Sequence, residues 1–328
     1  LHRVAKTRCG HVLTTWPLHA IKKHKFQKLM FKRIFLLLTT AVITQFFSVF
    51  AETKSIDDIY IRDPFIYTDR THSTYYMYCA NSADGRGGVA VWKSKDLKTW
   101  QGPEQVFTVS PNNRLTGKVW APEMHKYKGK YYLFLTLNST YTWKASLPGR
   151  APFYYRSVQI FKSNSPDGPF KEINYMSTTP IDEMALDGTL YVDEEGTPWL
   201  VYCNEWVQRT DGTIRLAQLA PDFSKIVSHP VDLFCASAAP WARPVNEVSG
   251  AYVTDGCYLY KGKQKLFMIW SSFNESGNYC IGVAKSATGK ITGPWIQHPT
   301  PLYSKHGGHA SIFHDLSGNL RIVLHSPN

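Results

Sequence analysis

Cysteine is scarce, with six in 328 residues and no CxxC pair. Cys9 stands apart near the N-terminus. The other five (Cys79, Cys203, Cys235, Cys257, Cys280) are an odd number without metal-ligand spacing. That argues against a zinc site and against a disulfide framework. Most of these thiols read as small buried hydrophobes, with a Cys257–Cys280 bridge left open. Charged residues make up only 19% of the chain, and residues 1–50 contain no Asp or Glu at all. Nine of the twelve excess positive charges fall in that segment, so the remainder carries +3. A nucleic-acid partner for the whole chain loses its basis. Long apolar runs are also missing. The most apolar stretch, Ile34 to Phe50, is interrupted by Thr39, Thr40, Thr44 and Gln45, too short and broken for a comfortable membrane span.

That stretch has another use. Met30 is followed by Lys32 and Arg33, then by the apolar run, then by Val49-Phe50-Ala51 before Glu52. A basic start, an apolar centre and small residues before a cleavage point are the order of a signal peptide, here 30–51. An N-terminal membrane anchor is the alternative. Residues 1–29, beginning at Leu1, read as upstream sequence outside the mature protein. The expected mature chain is 52–328, secreted or periplasmic, without stable membrane insertion once the signal is removed.

What the chain has in quantity is aromatic residues (14%) and turn formers, 22 Gly and 19 Pro. Strand-like runs begin at Tyr75, Tyr131, Trp199, Leu266 and Leu320, at intervals of 54–68 residues. About ten residues before each lies another apolar strand, opened by a small polar motif: Arg62-Asp63-Pro64, Ala121-Pro122-Glu123, Leu186-Asp187-Gly188, Thr254-Asp255-Gly256 and Gly308-His309. Turn clusters such as Lys128-Gly129-Lys130 and Ser317-Gly318-Asn319 separate the two strands, as in hairpins. A third strand follows in the first four units. Repetition at this period predicts an all-β, five-bladed β-propeller. A β-sandwich, whose turns recur every 8–12 residues, is the alternative. The fifth unit stops after its second strand, so the fifth blade is expected to be incomplete and the chain to be a fragment. Inner strands of a propeller line one channel, which brings the motif carboxylates together.

These motifs, in order and at blade spacing over residues 56–328, resemble glycoside hydrolase family 43. The segments that carry the likeness include Ile61-Arg62-Asp63-Pro64, Trp120-Ala121-Pro122-Glu123, Leu186-Asp187-Gly188, Val253-Thr254-Asp255-Gly256 and Gly307-Gly308-His309. The resemblance implies a five-bladed propeller enzyme that inverts the anomeric centre of arabinose- or xylose-containing oligo- and polysaccharides. It implies Asp63 as the base, Asp187 as the residue that sets the acid's pKa, and Asp255 at the acid position, where the family carries Glu. Inversion needs an ionised carboxylate on one sugar face and a protonated one on the other, about 6.5–9.5 Å apart.

Glu205 is the reserve acid. Trp120, Phe65 and Trp206 are candidates to stack on sugar, with blade packing as their ordinary role; Glu123 is a further candidate to shape the substrate site. His309 is expected in the channel, bonded to water or carboxylate, with a structural Ca²⁺ as the alternative that the resemblance suggests; no cofactor is required. The expected activity is that of an α-L-arabinofuranosidase or β-xylosidase. The segments Thr140–Arg156 and Val231–Tyr252 are expected as long loops walling a pocket, which favours exo action. An endo-acting arabinanase and a catalytically inactive carbohydrate-binding propeller are the alternatives.

Overall fold

The structure is a computed structural model describing residues 52–328 except Asp84, Thr116 and Gln264. The expected signal peptide (30–51) and the upstream segment (1–29) lie outside the described residues. The chain folds as an all-β propeller. Blade 1 is built from β2 (Phe65–Asp69), β3 (Thr74–Ala83), β4 (Arg86–Ser94) and β5 (Thr99–Thr108), with β1 (Thr53–Ser55) added on β5. Blade 2 contains β6 (Val119–Tyr127), β7 (Lys130–Lys144), β8 (Phe153–Ser163) and β9 (Lys171–Glu172). Blade 3 contains β10 (Ala185–Val192), β11 (Pro198–Asn204), β12 (Thr213–Gln218) and β13 (Val231–Cys235). Blade 4 contains β14 (Asp255–Lys261), β15 (Leu266–Phe273), β16 (Tyr279–Ser286) and β17 (Trp295–Gln297). Where the sequence predicts a fifth blade, only a two-stranded sheet forms, from β18 (Gly308–His314) and β19 (Leu320–His325). Among the described residues one α-helix occurs, α1 (Trp206–Arg209).

Each blade is antiparallel throughout, as hairpin connections require. The middle strands are buried on both faces because each blade is covered by its neighbours, so they read as nearly continuous apolar runs. Separate clusters fill the seams. Tyr78, Val91 and Leu133 pack between blades 1 and 2. Phe134, Leu200 and Tyr202 pack between blades 2 and 3. Leu216, Met268 and Trp270 pack between blades 3 and 4. Full burial of a residue such as Leu133 or Phe134 contributes about 1.5–3 kcal/mol. The inner strands β2, β6, β10 and β14 contact in succession, and β18 packs against both β14 and β2.

Two expectations are corrected. The segment Thr140–Arg156 is mostly strand: β7 runs to Lys144 and β8 starts at Phe153, leaving eight connecting residues. Likewise Val231–Cys235 is β13, so the second expected loop begins after it. The five cysteines are free thiols, and no Cys257–Cys280 bridge forms. Cys257 instead contacts Cys203 across the seam between blades 3 and 4.

Candidate active site

The polar motifs converge because the inner strands share one backbone irregularity. In β6, β10, β14 and β18 the pairing with the next strand slips between Trp120 and Glu123, Leu186 and Thr189, Asp255 and Tyr258, and Gly308 and Ser311. Each slip contains a residue in the left-handed region: Ala121 (φ 45°), Asp187 (φ 55°), Gly256 (φ 54°) and His309 (φ 48°). Asp63, two residues before β2, has φ 52°. Such bulges re-aim side chains, and non-glycine residues with positive φ cluster where function holds them. Blade equivalence therefore runs Asp63, Ala121, Asp187, Gly256, His309. Glu123 stands two residues beyond its expected position in this frame, and Asp255 one residue before it.

A pocket of about 320 Å³ opens over these turns. Seven of the nine expected site residues line it: Asp63, Trp120, Asp187, Glu205, Trp206, Asp255 and His309. Phe65 is buried instead, its ring 5.5 Å from that of His125 and 6.2 Å from that of Tyr258. Glu123 is buried and does not line the pocket; its Oε2 lies 3.0 Å from His125 Nε2. Sequence reading missed Arg62, Leu186 and Tyr279, which also line the pocket. Arg62 sits inside a motif already singled out. Tyr279 opens a third strand, and nothing local marks it.

The carboxylates differ in environment. Asp63 is half-buried, and this desolvation pushes its pKa up, but the imidazoles of His309 and His325 and the Arg62 guanidinium outweigh desolvation and hold the pKa below the usual range. Its Oδ1 lies 3.3 Å from His309 Nδ1 and 3.2 Å from His325 Nδ1. Asp187 is pushed well above the usual range, by burial first and then by the charge of Asp63. Its Oδ2 accepts from the Gly256 amide at 2.9 Å, and its own amide donates to Thr136 Oγ1 at 2.9 Å. Gly256 is required there: a Cβ would come within 2.9 Å of His309 Cα. Asp255 is pushed up to about 7 by burial and the neighbouring Asp187, against the opposing His309 and the hydrogen bond from Tyr279.

Glu205 caps α1 by position, without a side-chain cap bond. Its carboxylate is ion-paired with Arg156 Nη1. Burial raises its pKa, and Arg156 opposes the shift. The Arg156 guanidinium also lies 4.3 Å from the centre of the Trp120 ring and donates to Asn138 Oδ1 at 2.6 Å. One face of Trp120 is thus occupied by a cation.

The donor set around His309 does not fit Ca²⁺. Among the described residues no three His, Cys, Asp or Glu side chains are grouped to hold a metal ion. His309 Nδ1 faces Asp63 and, at 3.7 Å, Asp187 Oδ2, whereas Ca²⁺ takes six to eight oxygen ligands.

Comparison with known proteins gives a consistent picture. A crystal structure of an endo-arabinase from Bacteroides thetaiotaomicron superposes with a TM-score of 0.76 at 38% identity, covering 86% of this chain and 94% of that one. The extracellular endo-α-(1→5)-L-arabinanase 1 of Bacillus subtilis is 26% identical over 243 residues, 72% of this chain and 68% of the relative. The extracellular exo-α-(1→5)-L-arabinofuranosidase of Streptomyces chartreusis is 23% identical over 210 residues, 61% of this chain and only 57% of the relative's length. The family model of glycosyl hydrolases family 43 matches residues 56–328. With its propeller and its carboxylate-lined pocket, the chain belongs to glycosyl hydrolases family 43.

Proposed function

We propose that the protein is an inverting glycoside hydrolase that releases arabinose or xylose units from plant cell-wall polysaccharides or oligosaccharides. The observation that carries this reading is the opposite proton affinity of two carboxylates on one pocket. Asp63, held below the usual range, stays ionised at neutral pH and suits a base that takes a proton from the attacking water. Asp255, at about 7, keeps a proton to give to the departing glycosidic oxygen. Asp187, a second buried carboxyl group coupled to Asp255, disfavours having both ionised at once and so helps Asp255 keep its proton. Glu205, committed to Arg156, suits a binding role beside Trp120 and Trp206.

The named activities of these relatives favour arabinose. Exo action is the first reading; the likeness to an endo-arabinase over 86% of the chain favours the second, an endo-arabinanase. We also read β18 and β19 as the inner part of a fifth blade, supported by the left-handed residue they share with the other inner turns. Secretion after removal of residues up to Ala51 is supported by relatives named as extracellular.

The test is to assay purified protein on 4-nitrophenyl α-L-arabinofuranoside, 4-nitrophenyl β-D-xyloside and linear arabinan, following the first-formed anomer by NMR. Inverted product is expected, and retained configuration overturns the mechanism. Monosaccharide alone from arabinan means exo action; early oligosaccharides mean endo action. No hydrolysis of any glycoside favours the binding propeller.

A further inference from the structure

Tyr279 opens β16 and reaches the pocket from the third strand of blade 4. Its ring is fixed on several sides. It stacks on His325, with centroids 5.8 Å apart and planes at 15°, and packs 5.2 Å from Phe273. Gly308 lies against it so closely that any Cβ there would come within 2.5 Å of the ring. The Tyr279 amide donates to His306 Nδ1 at 3.3 Å. From this clamped ring the hydroxyl donates to Asp255 Oδ2 at 3.0 Å.

We propose that Tyr279 is the positioning residue of the general acid: its hydroxyl pins Asp255 Oδ2, so that Oδ1 presents the proton to the glycosidic oxygen. The inference rests on the reading of Asp255 as the acid. An aspartyl arm is one methylene shorter than the glutamyl arm implied at this position, so its reach depends on where the carboxyl is anchored. A donor held by packing supplies that anchor without reorganisation. In the step itself, the proton leaves Oδ1 for the glycosidic oxygen as the bond from that oxygen to the anomeric carbon breaks. The bonding electron pair stays on the departing oxygen. Water attacks the anomeric carbon and gives its proton to Asp63, and Asp255 is left as a carboxylate. Negative charge therefore appears on Asp255 during the step, and the Tyr279 hydrogen bond becomes charge-assisted and stronger.

The test is Tyr279→Phe, which keeps the ring and removes only the hydroxyl. With a linear arabino-oligosaccharide, kcat should fall about 10- to 100-fold with KM within about twofold, the size of one hydrogen bond to a charged group. With 4-nitrophenyl α-L-arabinofuranoside, whose phenolate leaves with little protonation, kcat should fall less than about threefold. An equal fall on both substrates marks a merely structural role and overturns the inference. Asp255→Asn is measured alongside. If it shows the split and Tyr279→Phe does not, the anchoring inference fails while the acid assignment stands. If neither shows it, the acid reading fails and the inference falls with it. Should Tyr279→Phe not fold, 3-fluorotyrosine at position 279 keeps the ring and is a stronger donor. The oligosaccharide-to-aryl rate ratio should then rise above wild type, and an unchanged ratio overturns the inference.

Discussion

Asp63, Asp187 and Asp255 are the same residue type, yet their surroundings give them different proton affinities. Two imidazoles and a guanidinium act on Asp63, while burial and a neighbouring carboxylate raise Asp187 and Asp255. Asp63→Asn removes the acceptor for the water proton and should lower kcat about 10²- to 10⁴-fold with KM little changed; steady-state kinetics showing more than a tenth of wild-type activity would exclude Asp63 as the base. The pH dependence follows from the same groups. On the proposed assignment, the active form has Asp63 ionised and Asp255 protonated. As pH rises through about 7, Asp255 loses its proton and kcat/KM should fall. On the acid side, activity should hold until below the usual carboxylate range, because Asp63 is held low. A kcat/KM profile with its basic limb well above 8 would contradict this assignment.

The two acid candidates separate at the same scale. Asp255→Asn should cripple cleavage of natural oligosaccharides and spare activated aryl glycosides, since only poor leaving groups need the proton. Glu205→Gln should show no such split. It leaves the buried Arg156 guanidinium without a carboxylate, a loss of up to about 3–5 kcal/mol, visible as a lowered Tm and weaker substrate binding. The split appearing in Glu205→Gln and not in Asp255→Asn reverses the roles. The motifs place Asp63 and Asp187 at the strand mouths, and both line the pocket at the left-handed residue of their turns. Asp255 was placed in register with them, but Gly256 holds that backbone position. Phe65 and Glu123 are buried outside the pocket lining, because position near a strand mouth does not say which way a side chain turns.

At the scale of the element, the repeated bulge at the start of β6, β10, β14 and β18, with Asp63 in the same left-handed conformation ahead of β2, is the feature that builds the pocket. It takes a residue out of the pairing ladder and turns it toward the axis. Gly256→Ala tests its rigidity. Alanine at φ 54° costs about 1–3 kcal/mol in backbone strain alone, and its Cβ would meet His309 Cα. Thermal unfolding should show a lowered Tm, with activity lost as the Gly256 amide shifts from Asp187 Oδ2. An unchanged Tm would mean the turn is not a constrained element. Strand existence was readable from aromatic runs and turn glycines. Strand length was not. The last residues of β7 are largely exposed and lack an alternating pattern, so pairing with β8 rather than local sequence extends it to Lys144.

At the scale of the whole molecule, the proposed export predicts a mature chain that starts at Glu52; N-terminal sequencing that still finds Phe50 or earlier residues would exclude cleavage after Ala51. The order of units, their spacing and the motif carboxylates were determined by the sequence alone, because a repeat that buries its faces against identical neighbours writes the same apolar period and the same turn residues each time. Which carboxylate is ionised, and what holds it, was decided only by tertiary structure. Asp63 meets His309 and His325 from 246 and 262 residues away, and Asp255 meets Tyr279 from another strand. Proton affinity depends on burial and on charges a few ångströms distant, and those distances exist only once the inner strands are brought around one axis.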